Sequence, residues 1–595
     1  MISSNKKSVV LANNDVVYLW WQVPKKIKNC LGFSIHRVIN GVEEPKGLYA
    51  TVGFDKINDT RKSPQTTDQW PIQSFNWKDL YAPHNTDITY RIYPMVGTWD
   101  NLAPLHSKVI ETGPIRRTQV YGDVKIIFNR GILSTQAFAK SGQPGKTVTQ
   151  AEARELIRHP TSLWRKRLGG QMLFNVNAFF RRAAEGGGKY YAALYELTDE
   201  VLIKELTKNK QTEIILSNAN SSKTVTVDGK KKVIPIDDGT NADTRKMLHK
   251  NEDIILYDRM LKTHIGHNKF VIYTNKNGVP KAVLTGSTNW TPTGLCGQTN
   301  NMVIIESEKV ARQYKKYWDQ MKTEFDNEEK QGVAFRTWCA ENSCTNKING
   351  KPLTLWFSPN TKQKTKPANP TTPVDIQAVF NLIEKAKESV LYLVFNPGSP
   401  SIIDKIKEVA ANRPAGKPLF VRGAISDAKI ASKVTTNIVS SDILARPDTY
   451  YFDRVTGVAA IPGPFSYFEE ELLKLGFSTI HDKLLVIDPF SKDCVVVTGS
   501  HNLGYTASYK NDENMVIIQG DKGIAGAYAA HVLDIVNHFK WRYKLQDKIK
   551  RAGAKTKKQK EDVLKKQWND LDEKDDWMNF YFDEEGFVNQ NKFLF

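Results

Sequence analysis

The chain has 595 residues, 40% of them hydrophobic and 25% charged, a length that predicts about four domains and a balance that excludes a mostly disordered protein. Its 84 Lys and Arg against 64 Asp and Glu leave a formal charge of +20, which points to a polyanionic partner, either nucleic acid or an anionic phospholipid membrane surface. No apolar run approaches the ~18 residues of a membrane span, and Val9–Ala12 is too short for the core of a secretion leader. A cytoplasmic location is therefore expected, with export by a route that needs no such leader left open. The cysteines Cys30, Cys296, Cys339, Cys344 and Cys494 are scattered with no CxxC pair. That excludes a disulfide framework or zinc cluster and reads as reduced thiols, with a Cys339–Cys344 bridge as the minor alternative.

Residues 1–115 alternate short apolar runs with turns, as in Phe33-Ser34-Ile35-His36 and Tyr90-Arg91-Ile92-Tyr93-Pro94. This pattern predicts an all-β sandwich of fibronectin type III or immunoglobulin kind, with Trp20 in its core and Tyr90 or Tyr93 as a corner tyrosine. Strands are then expected at Val124–Phe128 and Ile214–Leu216 around a helix at Leu197–Leu206. The stretch 221–246 reads as a long polar insertion. Later come a flexible loop at 359–373, a strand at Val390–Phe395, a helix at Ile402–Ala410 and a strand at Leu419–Val421. A basic run at 540–566 precedes an acidic, aromatic tail that either folds back on it or meets a partner.

An internal repeat organises the middle of the chain. His267-Asn268-Lys269 is followed by Gly286-Ser287-Thr288-Asn289 and Asn301-Met302-Val303-Ile304-Ile305. His481-Asp482-Lys483 is followed by Gly499-Ser500-His501-Asn502 and Asn514-Met515-Val516-Ile517-Ile518. Ser to Asn spans fourteen residues in both copies, and the period is 214, which marks a duplicated domain rather than a solenoid. The repeats are expected at 120–335 and 345–545, each an α/β sandwich, with 546–595 as a tail. Within each copy, His and Lys share a strand face and Gly-Ser-x-Asn ends the partner strand. Two facing copies would gather His267, His481, Lys269, Lys483, Asn289 and Asn502, with Ser287 and Ser500 as substrate-binding hydroxyls. Such a pocket suits a phosphodiester: one imidazole attacks phosphorus, the other protonates the leaving oxygen, and Lys and Asn hold the non-bridging oxygens. With the lysines supplying positive charge, neither metal nor cofactor is expected.

These motifs resemble the phospholipase D superfamily. The second copy has the full pattern His481-x-Lys483-x4-Asp488 with Gly499-Ser500-x-Asn502, and the first has Thr274 where the family usually has Asp. The resemblance implies a pseudo-twofold bilobal domain, a phosphohistidine intermediate and two displacements at phosphorus. In family nucleases a Glu eleven residues after the Asn hydrogen-bonds the imidazole. That position holds Glu513 here, and Asn300, an amide, in the first copy. A carboxylate on Nδ1 strengthens an imidazole, so Glu513 is expected to back His481 as nucleophile, leaving His267 as the acid. Asp488 is read as structural.

For the substrate, nucleic acid comes first. The charge suits it, and Gly286-Ser287-Thr288-Asn289-Trp290-Thr291 is similar to the bacterial endonuclease branch. Trp290 is a candidate to stack a base, and Arg165-Lys166-Arg167 and Arg181-Arg182 are candidate phosphate contacts; each is equally ordinary as core or surface. His264 has a smaller claim on the pocket. The alternatives are a phospholipase D acting on head groups, whose nearest apolar interfacial loop would be Gly463–Phe468, and a non-catalytic binding scaffold. With both repeats in one chain, a monomer is plausible.

Overall fold

The computed structural model describes residues 1–50, 52–54, 64–131, 150–261, 263–327, 330–414, 417, 419–426, 479–551, 553, 559 and 571–582. The Gly463–Phe468 loop and most of 552–570 lie outside them. Two large sheets dominate. The first runs in the order Val120–Tyr121, Val124–Phe128, Asn301–Ile305, Pro280–Gly286, Lys269–Thr274, Lys189–Leu194, Thr212–Ser217, Ile254–Arg259. The second runs Cys344–Ile348, Lys351–Ser358, Glu513–Gln519, Val495–Gly499, Lys483–Ile487, Ser389–Val394, Phe420–Ile425. The first seven strands of the one match the seven of the other in order, Ile254–Arg259 being an extra edge strand of the first sheet, and in both the strand beside the His-x-Lys strand pairs in parallel with its outer neighbour. This is the duplicated α/β sandwich anticipated from the repeat.

The central strands are apolar along their length because both faces are covered; Lys269–Thr274 and Lys483–Ile487 are buried at every position. Helices Leu163–Gly186 and Glu200–Thr207 pack on the outer face of the first sheet, and Val374–Glu384, Ile402–Ala411 and Tyr505–Lys510 on that of the second. Between the sheets lie Glu308–Thr323 and Lys522–Arg551. The Glu308–Thr323 helix is capped by Ser307, whose hydroxyl accepts from the Val310 amide. It buries Val310, Ala311, Tyr314, Tyr317, Trp318 and Met321, the three-and-four spacing of one helical face.

The N-terminal region is a β-sandwich. One sheet orders Ile2–Ser4, Ser8–Ala12, Val17–Trp21 and Asn76–Asp79, and the other is built on Cys30–Ile39 paired with Asp87–Thr98. Neither tyrosine forms a corner to backbone. The Tyr90 hydroxyl donates to the Asp79 carboxylate at 2.8 Å and that of Tyr93 to Glu43 at 3.0 Å. Trp20 is buried but faces away from the sandwich core, which holds Val17, Leu19 and Trp21; Tyr18 and Trp20 pack instead into the core shared with the long Lys522–Arg551 helix.

Three expectations change in detail. The 221–246 insertion is a two-stranded ribbon, Ala219–Val227 with Lys230–Asp237, followed by helix Ala242–Leu248. The 359–373 loop has no regular structure but is tied down, with Tyr509 donating to the Thr371 carbonyl at 3.0 Å and Thr372 bonded to the Tyr505 hydroxyl at 2.6 Å. Residues 571–582, from the acidic aromatic tail, pack against the N-terminal sandwich: Leu571 bonds Gly53, and the Trp577 indole N–H donates to the Cys30 carbonyl at 2.9 Å. Among the described residues, no helix is long and apolar enough to cross a membrane.

Candidate functional site

His267 and His481 each stand just ahead of their strand, only 4% exposed. Lys269 Nζ donates back to the His267 carbonyl at 2.8 Å, and Lys483 Nζ to the His481 carbonyl at 2.7 Å. Each motif is held against the other repeat by an isolated bridge, Gly266 to Asp512 and Thr299 to Ile480. The consequence is an exchange across the seam. His267 Nδ1 bonds Glu513 Oε2 at 2.8 Å, and His481 Nδ1 bonds Asn300 Oδ1 at 2.9 Å. The expected pairing of Glu513 with His481 is thus corrected. The spacing located the carboxylate but was silent on which repeat's imidazole it reaches, because that depends on how two sheets meet.

The Asn300 amide has a defined orientation. Its Nδ2 donates to the Gly294 carbonyl at 2.9 Å, so Oδ1 is the end that meets both the Ser287 hydroxyl and His481. His481 Nδ1 must therefore carry the proton. A carboxylate likewise requires a proton on His267 Nδ1. Both imidazoles are left with Nε2 free of these ties.

Glycine makes the turns that bring the asparagines in. Gly286 and Gly499 sit at φ 139° and 130°, and a Cβ there would lie 2.3 and 2.4 Å from the carbonyls of Asn301 and Asn514. Beyond them Ser287 and Ser500 are fully buried. Ser287 Oγ accepts from the Asn301 amide at 3.1 Å, and Ser500 Oγ from the Asn514 amide at 3.0 Å. The hydroxyls expected to bind substrate instead shape these turns, since a buried N–H left unpaired is costly. Asn289 and Asn502 follow, and the Oδ1 of each is buried without a hydrogen-bond partner among the described residues. His501, beside Asn502, is pinned to Ser508 Oγ at 3.0 Å, and that hydroxyl donates to Asp375 at 2.9 Å.

The seam is knitted symmetrically. Asn301 Nδ2 donates to Asp482 at 2.9 Å and Asn514 Nδ2 to Asn268 at 3.0 Å. Thr498 and Thr285 donate to Asn301 and Asn514 in turn. At the margin, Arg259 is buried between Asp512 at 2.8 Å and Glu324 at 2.9 Å. Asp488 lies at the far end of its strand and accepts the backbone N–H groups of Lys387, Glu388 and Ser389 at 2.7–2.8 Å. Thr274, its counterpart, donates to the Lys189 carbonyl at 3.1 Å.

Burial sets the electrostatics of the pocket. It pushes His267 down to about 4 against the pull of Glu513, and Lys269 down to about 7 against Glu513 and Glu196. His481 falls well below its ordinary range through burial and the charges of Lys483 and Lys269, and Lys483 falls likewise through burial and Lys269. Burial alone would raise Glu513, but His267 holds its carboxyl below the usual range. The pocket thus gathers four groups whose charged forms burial disfavours, and an anion placed among them would restore their protons.

Residues 195 and 196 add to the wall. The Tyr195 ring lies 4.9 Å from that of His267 and Phe395 4.8 Å from that of His481, with Lys269 and Lys483 over the same rings at 5.0 and 5.2 Å. Each aromatic is the first residue after the strand that pairs with the His-x-Lys strand, a correspondence visible in the sequence once those strands are aligned. Glu196 accepts from Asn289 Nδ2 at 2.6 Å, and burial raises its carboxyl despite Lys269; nothing in the repeat marks it, because the second copy has Asn396 there. Other candidates lie elsewhere. Trp290 is fully buried against Phe180, and Arg165 is buried in a pair with Asp199 at 2.8 Å. Arg182 pairs with Glu306, and His264 bonds Gln331 at 2.6 Å.

A family model described as "Cardiolipin synthase, PLD-like domain" matches residues 190–322 and 379–536, one block in each half of the bilobal body. No curated protein matches the chain. Among solved structures, phosphatidylserine synthase of Haemophilus influenzae Rd KW20 is similar at 13% identity, over 63% of this chain and 85% of that one, with a TM-score of 0.38. Nuc from Salmonella typhimurium, a phospholipase D family member, is 18% identical over 31% of this chain and 94% of that one, TM-score 0.20. Polyphosphate kinase from Porphyromonas gingivalis is 10% identical over 57% of this chain, TM-score 0.33, and the match spans only 45% of the kinase. With one His-x-Lys and one Gly-Ser-x-Asn in each matched block, residues 190–322 and 379–536 form a duplicated PLD-like domain of the phospholipase D superfamily.

Proposed function

We propose that this pocket hydrolyses or transfers a phosphodiester without metal, through a phosphohistidine on His267. The observation that carries the reading is the unequal backing of the two imidazoles. Glu513 fixes the His267 tautomer and offsets the positive charge that forms when Nε2 bonds phosphorus. His481 has only the neutral Asn300 amide behind it, which makes its imidazolium the stronger acid. In the first step His267 Nε2 bonds phosphorus, the ester P–O bond breaks, and the proton on His481 Nε2 passes to the leaving oxygen. In the second, His481 takes a proton from water or another acceptor hydroxyl, the new P–O bond forms, and the P–N bond breaks. Lys269, Lys483 and the asparagines hold the non-bridging oxygens, and the phosphodiester's charge raises the pocket's depressed imidazolium and ammonium groups on binding.

Nucleic acid and phospholipid both present this group. Two sequence supports for nucleic acid weaken, because Trp290 and Arg165 are core residues. The test is turnover in EDTA on single- and double-stranded DNA and RNA, and on phosphatidylcholine, phosphatidylethanolamine and phosphatidylglycerol vesicles, with His481→Ala as control. Activity on either set, lost in the variant, supports the reading. Activity that EDTA removes overturns the metal-free chemistry, and activity indifferent to His481→Ala leaves the domain a scaffold.

A further inference from the structure

The ribbon Ala219–Val227/Lys230–Asp237 has no counterpart in the repeat and no role in the chemistry above. Its turn is Asp228-Gly229, both at positive φ, 49° and 73°, the tight hairpin geometry favoured by this dipeptide. The register places Val227 opposite Lys230, Val225 opposite Lys232, and Lys223 opposite Ile234. Directly opposed residues share a face, so three successive rungs on one face each pair a lysine with an aliphatic side chain. All six are exposed or half-exposed, and Val227 is 49% exposed.

The ribbon is fastened to the wall of the pocket. Asp238, at its end, donates its amide to Asn218 Oδ1 at 3.1 Å. Asn241 Nδ2 reaches the Tyr195 carbonyl at 2.8 Å, and Asn241 Oδ1 accepts from the Leu197 amide at 2.9 Å. The segment so held carries Tyr195, against His267, and Glu196, against Asn289. Both the ribbon and that segment leave the carboxyl ends of adjacent parallel strands, the side of an α/β sheet where ligands bind.

We propose that this ribbon docks the protein on an anionic phospholipid surface and delivers lipid phosphodiesters to the pocket beside it. The composition selects that occupant. Residues 219–237 contain no aromatic residue and no arginine, the side chains that stack on bases and fork onto nucleic-acid phosphates. Aliphatic side chains interleaved with lysines match a bilayer interface, where methyl groups enter the acyl boundary and ammonium groups stay among anionic head groups. The assignment of substrate rests on the phosphodiesterase reading above; the docking itself does not.

The full-length chain is sedimented with vesicles of 30% phosphatidylglycerol in phosphatidylcholine, and with pure phosphatidylcholine. Two variants are compared, Lys223→Ser/Lys230→Ser/Lys232→Ser and Val225→Ser/Val227→Ser. Turnover of soluble bis(p-nitrophenyl) phosphate is measured in parallel. The proposal expects binding to the anionic vesicles only, a loss of at least tenfold in each variant, and unchanged turnover of the soluble ester. Vesicle binding equal to wild type in both variants overturns it, as does a matching loss of single-stranded DNA binding with vesicle binding intact. Wild type that binds vesicles through the ribbon yet cleaves neither lipid nor soluble ester upholds docking and removes the catalytic reading.

Discussion

Glu513 and Asn300 occupy matched positions in the two repeats, yet one is a carboxylate and the other an amide, and each serves the opposite repeat's histidine. In the proposed mechanism that single difference divides the labour between two otherwise equivalent imidazoles. With a p-nitrophenyl leaving group, which needs no protonation, His481→Ala is expected to give a burst and then stall, because the acid is dispensable but the base for the second step is missing. Mass spectrometry of the stalled enzyme should find the phosphoryl group on His267. His267→Ala should show no burst, and a burst in that variant would exchange the roles. Glu513→Gln, which keeps the volume but removes the charge, should slow the burst by roughly 10²–10⁴-fold.

The same residues set the pH response. For the free enzyme acting on a p-nitrophenyl ester, whose leaving group needs no proton from His481, kcat/KM requires neutral His267 as nucleophile and charged Lys269 as anion binder. Burial holds His267 at about 4, so the acid limb should fall near that value, well below an ordinary histidine. Lys269, at about 7, loses its proton as pH rises, so anion capture weakens above neutrality. A bell between about 4 and about 7 is expected; a flat profile to pH 9 would show that Lys269 keeps its proton and contributes nothing to the limb.

At the scale of elements, the site is a seam between two sheets, and its geometry depends on turns and clasps. Alanine at Gly499 would meet the Asn514 carbonyl at 2.4 Å in a backbone conformation that side chains avoid. Gly499→Ala should cost about 1–3 kcal/mol in denaturant unfolding and depress turnover by displacing Asn502. Arg259→Met would leave Asp512 and Glu324 buried without their cation, a loss of about 3–5 kcal/mol, and Asp512 adjoins Glu513. The repeat, its strands and its paired motifs were legible because buried parallel-type strands and Gly-Ser-x-Asn turns are local patterns. What was not legible is what crosses between elements. The exchange of Glu513 and Asn300, the position of Glu196 and the burial of Ser287 and Ser500 follow from how the sheets face one another. The Asp228-Gly229 hairpin is a different miss: the turn dipeptide stands between Val-rich and Lys-rich runs, but the polar residues around it read only as an insertion.

At the scale of the whole molecule, the N-terminal sandwich is built into the duplicated body. Its strand Val17–Trp21 is covered on both faces, by its own core on one and by the Lys522–Arg551 helix region on the other. Lys78 pairs with Asp534 and Asn537 bonds Tyr18 across that boundary, and Asn14 bonds the backbone of Phe128 in the first large sheet. Residues 571–582 then close the sandwich from outside. Trp577 lies against both Phe33 and Phe75 with ring separations of 6.1 and 5.8 Å, and Asp575 accepts the Asn29 amide at 2.8 Å. Residues 571–582 thus complete the core of the N-terminal sandwich, so the sandwich cannot reach full stability without them. Trp577→Ala removes a buried indole and its hydrogen bond, a loss of about 3–5 kcal/mol. The sandwich's thermal transition should therefore fall by roughly 10 °C or more, while turnover of a soluble phosphodiester at 25 °C stays at the wild-type level because no pocket residue touches Trp577. An unmoved transition would mean that 571–582 rests on the sandwich without supporting it. A lost activity would instead mean that the sandwich holds the seam itself in register, through the Lys78–Asp534 and Asn14–Phe128 ties.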